Sequence, residues 1–153
     1  MPTDFVREVL LPHDRGVQPV LDADACRFAL AVRRSPVHGW GLFSAEPIPA
    51  RRRVIEYAGQ RITASEAWRR RLRPQLYIVR LNKTTYIDGA VDGSGAEWAN
   101  QGCEPNLRAS RRGSRLFLVS TRRIEAGEEL LWHYAIAGGA GWRCRCGAPT
   151  CTR

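Results

Sequence analysis

The stretch AEWANQGCEPNLRA, residues 96–109, interrupts a chain that otherwise alternates between strands and turns. It carries Cys103 directly before Glu104, Pro105 and Asn106. Proline disfavours helical backbone in the residue before it, so we predict a short helical turn that runs into an irregular loop. A thiol in such a loop can turn toward a point shared with other segments.

Around this stretch the sequence predicts a mostly β protein with short helices. Thr63 and Glu66 stand three residues apart, the spacing of a capping box, and predict the start of one amphipathic helix. Pro36 and the nearby glycines predict a loop. The predicted segments are a strand at 26–32, a loop at 33–43, a strand at 53–59, the helix at 63–73, a hairpin at 77–81 and 85–89, and strands at 115–124 and 129–134 around a turn.

Three thiols crowd into the segment CRCGAPTC, as Cys144, Cys146 and Cys151. Clustered cysteines in a reducing compartment are more often metal ligands than disulfides, and tetrahedral zinc needs four ligands. Cys26 lies in an apolar strand, where a buried thiol is the ordinary expectation. We therefore predict Cys103 as the fourth zinc ligand and Cys26 as the spare.

The composition favours one intracellular domain. The chain has 153 residues, is 44% hydrophobic, contains no apolar run long enough to span a membrane, and does not begin like a secretion signal. We expect it in the cytoplasm, nucleus or nucleoid, with no membrane partner.

The net charge is +9, and Lys83 is the sole lysine. The basic runs at 50–54 and 68–74 fit solvated surface, while nucleic acid stays a possible partner.

Five segments together resemble the SET-domain protein-lysine methyltransferases that carry a post-SET zinc tail. They are HGWGLFS, YIDG, WANQGCEPN, GEELLWHY and CRCGAPTC, in this order, and the resemblance runs from about Ala29 to the C-terminus. It implies small twisted β-sheets with a C-terminal pseudoknot and a zinc-bound post-SET segment. It further implies an N-terminal extension at 1–25, a SET domain at 26–136 with a variable insert at about 60–85, and a zinc tail at 137–153.

The resemblance also implies a cofactor, S-adenosylmethionine, and a reaction, methyl transfer to a lysine of a histone or another basic protein. Glycines let backbone approach a ligand closely, and an asparagine offers both a donor and an acceptor. The implied cofactor-binding residues are Gly39, Trp40, Gly41, Tyr86, Asn100, Gln101 and Trp142.

The same resemblance assigns Tyr134 to the methyl-transfer pore, Tyr77 to the lysine channel, and Trp132 to the position that limits the number of methyl groups. An inward Trp132 ring would leave its N–H unpaired unless a carbonyl accepts it. We therefore expect an outward ring and a di- or trimethylating enzyme. Gln101 and Gly102 stand where the family usually has histidine and serine.

A different class of function is a catalytically weak binding module, stapled by zinc, that holds nucleic acid or a protein partner. The net charge and the Gln101–Gly102 pair favour the module, whereas Tyr134 and the Gly-Trp-Gly segment favour the enzyme. Binding of S-adenosylmethionine distinguishes the two.

Overall fold

The computed structural model describes residues 19–72, 77–134, 144 and 146–151. Within these ranges the chain forms ten short strands, one helix, α1, and two 3-10 turns at Ala23–Ala25 and Ala96–Trp98. The strands and helix are β1 (Leu30–Arg34), β2 (Trp40–Ser44), β3 (Arg53–Glu56), β4 (Gln60–Thr63), α1 (Ala64–Arg70), β5 (Ile78–Arg80), β6 (Thr85–Asp88), β7 (Asn100–Gln101), β8 (Leu107–Arg112), β9 (Arg115–Ser120) and β10 (Leu131–Trp132). This confirms the prediction of a mostly β protein with short helices.

The strands form three small sheets. β1 and β2 make an antiparallel pair, and β4, β6 and β5 make a three-stranded antiparallel sheet. The third sheet has five strands in the order β3-β9-β8-β10-β7. The apolar core takes side chains from all three sheets, and Leu42, Ile55, Leu118 and Leu130 in it are fully buried.

Strand β10 lies between two strands that belong to one continuous segment. Leu131 pairs with Asn100, and Trp132 pairs with both Gln101 and Leu107, all in parallel register. Residues 102–106 join β7 to β8, so this short connection passes around β10. Threading of this kind is rare in proteins, and it is the pseudoknot that the resemblance implied.

Side chains of the connection fasten it to the strand that it encloses. Asn106 donates from Nδ2 to the carbonyl of Glu129 at 2.8 Å and accepts from the Leu131 N–H at 2.9 Å. The Gly102 N–H donates to the Trp132 carbonyl at 3.1 Å. A Cβ atom on Gly102 would lie 2.8 Å from that of Leu131, which is too close. Glycine at this position therefore lets the connection lie flat against β10.

The helix and the first hairpin follow their sequence signals. Thr63 caps α1, because its hydroxyl accepts from the Glu66 N–H at 3.2 Å. The helix ends at Arg70, three residues before the predicted end. The β5–β6 pair is the predicted hairpin, and Asn82 accepts two backbone N–H groups in its turn.

Several predicted boundaries are wrong. The strand predicted at 26–32 begins only at Leu30, with Cys26 forming an isolated bridge to Ile55. The predicted loop at 33–43 is shorter, because β2 already begins at Trp40. Of the strand predicted at 129–134, only β10 is regular. β8 was not predicted, since LRASRR has no apolar alternation.

Among the described residues, no helix has the length and apolar character needed to cross a membrane.

Candidate active site

The loop between β1 and β2 is closed by hydrogen bonds at its ends. The Ser35 N–H donates to the Gly39 carbonyl at 2.7 Å, and the Ser35 hydroxyl accepts from the Val37 N–H at 2.9 Å. Gly39 has a φ of 46°, which a side chain would make unfavourable. Glycine is thus required for the turn that presents Trp40.

Asn100 connects this loop to the threaded segment. Its amide Nδ2 lies 3.0 Å from the His38 carbonyl, 2.9 Å from the Trp40 carbonyl and 3.0 Å from Oε1 of Glu129. An amide has two hydrogens, so the three acceptors share them. The Asn100 side chain is only 9% exposed. The two predicted cofactor-binding segments are therefore in direct contact, and Asn100 fixes their distance.

Glu129 holds the same loop, and sequence reasoning missed it. Its Oε1 accepts from the Ser35 hydroxyl at 2.6 Å as well as from Asn100. A Cβ atom on Gly41 would collide with this carboxylate oxygen. Glycine stands at position 41 because the carboxylate occupies the space of a side chain. The sequence signal for Glu129 was only an acidic residue after a turn, which is common on protein surfaces.

Tyr134 is held by two contacts to the threaded segment. Its hydroxyl donates to the Ala99 carbonyl at 2.5 Å, and its backbone N–H donates to Oε1 of Gln101 at 2.5 Å. Burial raises the pKa of the phenol well above its usual value, and the nearby tyrosine Tyr77 and carboxylate of Glu129 raise it further. The hydroxyl therefore stays neutral at physiological pH. Gln101 here positions Tyr134 through its side chain.

Trp132 packs beside Tyr134, with ring centroids 5.1 Å apart in an edge-to-face arrangement. The ring is only 9% exposed, and its indole N–H donates to the Ala99 carbonyl at 3.2 Å. We expected an outward ring because an inward N–H would be unpaired. That reason does not hold here, because the Ala99 carbonyl accepts both the indole N–H and the Tyr134 hydroxyl.

Tyr77 is positioned by a tyrosine that was expected only to form part of a strand. The Tyr57 hydroxyl donates to the Tyr77 carbonyl at 2.9 Å, and the Tyr57 ring lies 5.8 Å from that of Trp132. The Tyr77 ring itself packs edge-on against Trp98 at 5.6 Å. Tyr57 thus contacts both Tyr77, predicted for the lysine channel, and Trp132, predicted to limit the number of methyl groups.

A buried carboxyl group, Glu97, lies near these tyrosines. It accepts the Gly95 N–H at 2.8 Å, and burial raises its pKa to about 7. Its charge contributes to the raised pKa values of Tyr57 and Tyr77. The interior around the predicted lysine channel therefore carries a group that ionises near neutral pH.

One further predicted cofactor residue, Tyr86, lies in a different sheet from Asn100. Tyr86 lies in β6, paired with Ile62 and Arg80 in the three-stranded sheet, whereas Asn100 belongs to the five-stranded sheet. Trp142 lies outside the described residues. The remaining predicted cofactor residues meet around the contacts of Asn100.

The four predicted zinc ligands come together. The Sγ atoms of Cys103, Cys144, Cys146 and Cys151 all lie within 4.8 Å of one another. The Cys103 and Cys144 sulfurs are 3.7 Å apart, close to the ~3.8 Å that zinc–sulfur bonds of about 2.3 Å give in a tetrahedron. The geometry fits zinc. Cys26 is not part of the cluster.

Backbone donors and burial shift the pKa values of these thiols in opposite directions. Although burial raises it, hydrogen bonds from the N–H groups of Cys103 and Ala148 lower the pKa of Cys146 to about 6. Burial raises the pKa of Cys144 to about 12. Four thiolates at this separation repel one another, so a cation is needed to bring all of them into the charged form.

Comparison with known proteins decides the family. The family model described as SET domain matches residues 39–135, which is more than half of the chain. The chain belongs to the SET domain family. The match includes Asn100, the threaded segment and Tyr134.

Relatives of this SET domain are much longer proteins. It is 35% identical over 132 residues to a histone-lysine N-methyltransferase, H3 lysine-4 specific, of Candida albicans, covering 77% of this chain and 13% of the relative. The Saccharomyces cerevisiae protein of the same description is 34% identical over 134 residues, covering 77% and 12%. Histone-lysine N-methyltransferase ATXR7 of Arabidopsis thaliana is 33% identical over 131 residues, covering 78% and 9%. The chain thus spans about an eighth of the relatives' length or less.

The cysteine cluster predicts one bound zinc ion. Cys103→Ser removes the ligand that ties the threaded connection to the tail, so metal analysis should show a loss of most of the zinc, from about one equivalent. Cys26→Ser is the matched control and should keep its zinc. The assignment is wrong if Cys103→Ser retains the metal and Cys26→Ser releases it.

The contacts of Glu129 predict that replacing it costs more stability than replacing the neighbouring Glu128. Glu129→Ala leaves the half-buried Ser35 hydroxyl and the buried Asn100 amide without this acceptor, which costs about 1–3 kcal/mol of unfolding free energy and should loosen the loop around Trp40. Glu128 pairs with the exposed Arg122 at 2.8 Å, so Glu128→Ala should cost less than about 1 kcal/mol. Urea denaturation of both variants measures the difference. Equal losses would show that the Glu129 contacts carry no special weight.

Proposed function

We propose that this SET domain transfers a methyl group from S-adenosylmethionine to a lysine side chain of a protein, and that the protein is a histone. The observation that carries the proposal is the neutral hydroxyl of the half-buried Tyr134, fixed on the Ala99 carbonyl next to the loop held by Asn100. The relatives named above, described as histone-lysine N-methyltransferases, support the substrate class.

The residues present fit the cofactor. The indole Nε1 of Trp40 is buried and has no hydrogen-bond partner among the described residues. Such a donor needs an acceptor, and the carboxylate of S-adenosylmethionine is one. When bound, S-adenosylmethionine supplies an activated methyl group on a sulfonium. Gly39, Trp40, Gly41, Asn100 and Gln101 would hold it, with Trp142 from the tail; we keep Tyr86 as a proposed contact.

Tyr134 is suited to orient the amine that receives the methyl group. Its proton is donated to the Ala99 carbonyl, so the lone pairs of the phenol oxygen remain for other donors. A neutral phenol oxygen in a fixed position can accept a hydrogen bond from the lysine amine and so orient it. Positioning of this kind, in a site shielded from water, contributes strongly to transfer rates.

Tyr77, Trp98 and Tyr57 would form the wall along which the target lysine enters. Burial lowers the pKa of a lysine ammonium and so favours the neutral amine that reacts. A substrate segment would dock in extended form against an exposed strand edge. Tyr57 keeps the Tyr77 backbone in place for this purpose.

We further propose that zinc joins the threaded connection to the tail. Under this proposal residues 137–153 form a zinc tail that follows the SET domain at 26–136, with 1–25 as an extension and about 60–85 as a variable insert. Besides the cysteine cluster, Thr150 donates to the Glu104 carboxylate at 2.9 Å, a second tie between the tail and the connection.

Tyr134→Phe predicts a loss of transfer without a loss of cofactor binding. The variant keeps the ring but loses the fixed phenol oxygen, so transfer from radiolabelled S-adenosylmethionine to histones should fall about 10²-fold. Calorimetry should show nearly unchanged cofactor affinity, the pattern of an interaction made in the transition state. If zinc-loaded wild-type protein binds no cofactor, the binding-module alternative is correct instead.

The position of the Trp132 ring predicts how many methyl groups are added to the target lysine. Because its N–H is paired with the Ala99 carbonyl, the bulky ring can remain beside Tyr134 and limit the room for a methylated amine. This replaces our expectation of di- or trimethylation with monomethylation. Mass spectrometry of the product after long incubation should show a plateau at one methyl group, and Trp132→Phe should move it higher. Trimethylation by the wild type would contradict this role.

A further inference from the structure

One face of the five-stranded sheet collects arginines from two distant parts of the sequence. Arg53 of β3 and Arg108 of β8 both pair with Val119 of β9, so all three point to the same side. Arg112 and Arg115 lie directly opposite each other at the turn end of the β8–β9 hairpin. These four exposed arginines, Arg53, Arg108, Arg112 and Arg115, are called the basic face below.

The arginines of the basic face lie over a small apolar surface. Phe117 and Val119 point to this side of the sheet, yet they are only 5% and 7% exposed. The guanidinium of Arg53 lies 4.6 Å from the centroid of the Phe117 ring, and that of Arg115 lies 5.1 Å away. Stacking on an aromatic ring keeps a guanidinium in a limited range of positions. Stacking on Phe117 therefore restricts where the guanidinium groups of Arg53 and Arg115 can lie.

The basic face has little internal neutralisation. Glu56 forms two hydrogen bonds to Arg115 and is the acidic residue that pairs on this face. In the described part of the chain, no ion pair joins Arg53, Arg108 or Arg112 to a carboxylate. Like charges directly opposite on neighbouring strands, such as Arg112 and Arg115, reduce the stability of a sheet, and the pairing of Arg115 with Glu56 offsets only part of this. The arrangement costs stability, and an external polyanion would relieve that cost.

We propose that the basic face binds the phosphate backbone of duplex DNA without sequence preference. The planar fork of a guanidinium matches a phosphate, and duplex DNA carries a charge for every ~1.7 Å of its length. Among the described residues, the arginines of the basic face lie on sheet strands and not on a helix that could enter the major groove, so we expect them to contact the phosphate backbone and not base edges. Binding here does not depend on the proposed methyl transfer.

The test compares two triple variants that lose the same charge. Arg53→Gln, Arg108→Gln and Arg112→Gln together remove most of the basic face. Arg61→Gln, Arg69→Gln and Arg80→Gln remove three exposed arginines from the three-stranded sheet and α1. Fluorescence anisotropy with a labelled 20-base-pair duplex of arbitrary sequence is measured on the full chain between about 50 and 200 mM salt.

The basic-face variant should bind at least tenfold more weakly than the control variant at the lowest salt. Its plot of log affinity against log salt should be shallower by up to about 0.9 for each lost phosphate contact. Equal affinities and slopes for the two variants overturn the proposal. Binding of the wild type to phosphatidylserine vesicles, but not to DNA, also overturns it and assigns the face to a membrane surface.

A stability measurement separates lost binding from lost folding. Arg112→Gln alone removes one member of the like-charged pair, so its melting temperature without DNA should equal or exceed that of the wild type. Added duplex should raise the melting temperature of the wild type and the control variant but not that of the basic-face variant. A lower melting temperature for Arg112→Gln would show that the pair is structural and would contradict the proposal.

Discussion

The parallel pairing of β10 with two strands of a single segment is the constraint on which the rest of this molecule depends. β10 has two residues, too few to form a stable strand alone, and it is held because β7 and β8 border it on both sides. The Ala99 carbonyl at the entry to this segment accepts both the Trp132 N–H and the Tyr134 hydroxyl. One peptide group therefore sets the positions of the residue proposed for catalysis and the residue proposed to limit methylation.

From this crossing the candidate site extends in two directions. Asn100 reaches back to the loop around Trp40, where Glu129 supplies the second anchor. Three residues beyond Asn100, Cys103 reaches forward to the cysteine tail. A segment of four residues thus touches the proposed cofactor loop at one end and the proposed metal at the other, so zinc binding and cofactor binding are expected to influence each other's affinity.

The sequence could predict what depends on local spacing and residue chemistry. Cys103 was found because three clustered thiols lack a fourth ligand, and the cap at Thr63 because its signal spans three residues. Tyr134 came from the ordered motifs of the family. Glu129 and Tyr57 were missed because their partners are 94 and 20 residues away, so no local pattern marks them. β8 was missed because it is rich in arginine and, apart from Leu107, is not buried on either side, so its sequence has no apolar period.

Threading, built on the bonds between the connection and β10, holds Tyr134 in place. Amide hydrogen exchange of the zinc-loaded protein tests it at the N–H groups of Gly102 and Leu131, which donate to the Trp132 carbonyl and to Asn106. Both amides should exchange as slowly as the amides that pair β8 with β9, through global unfolding. Exchange as fast as that of the exposed Lys83 amide in the β5–β6 turn would show that the crossing opens freely and would contradict it.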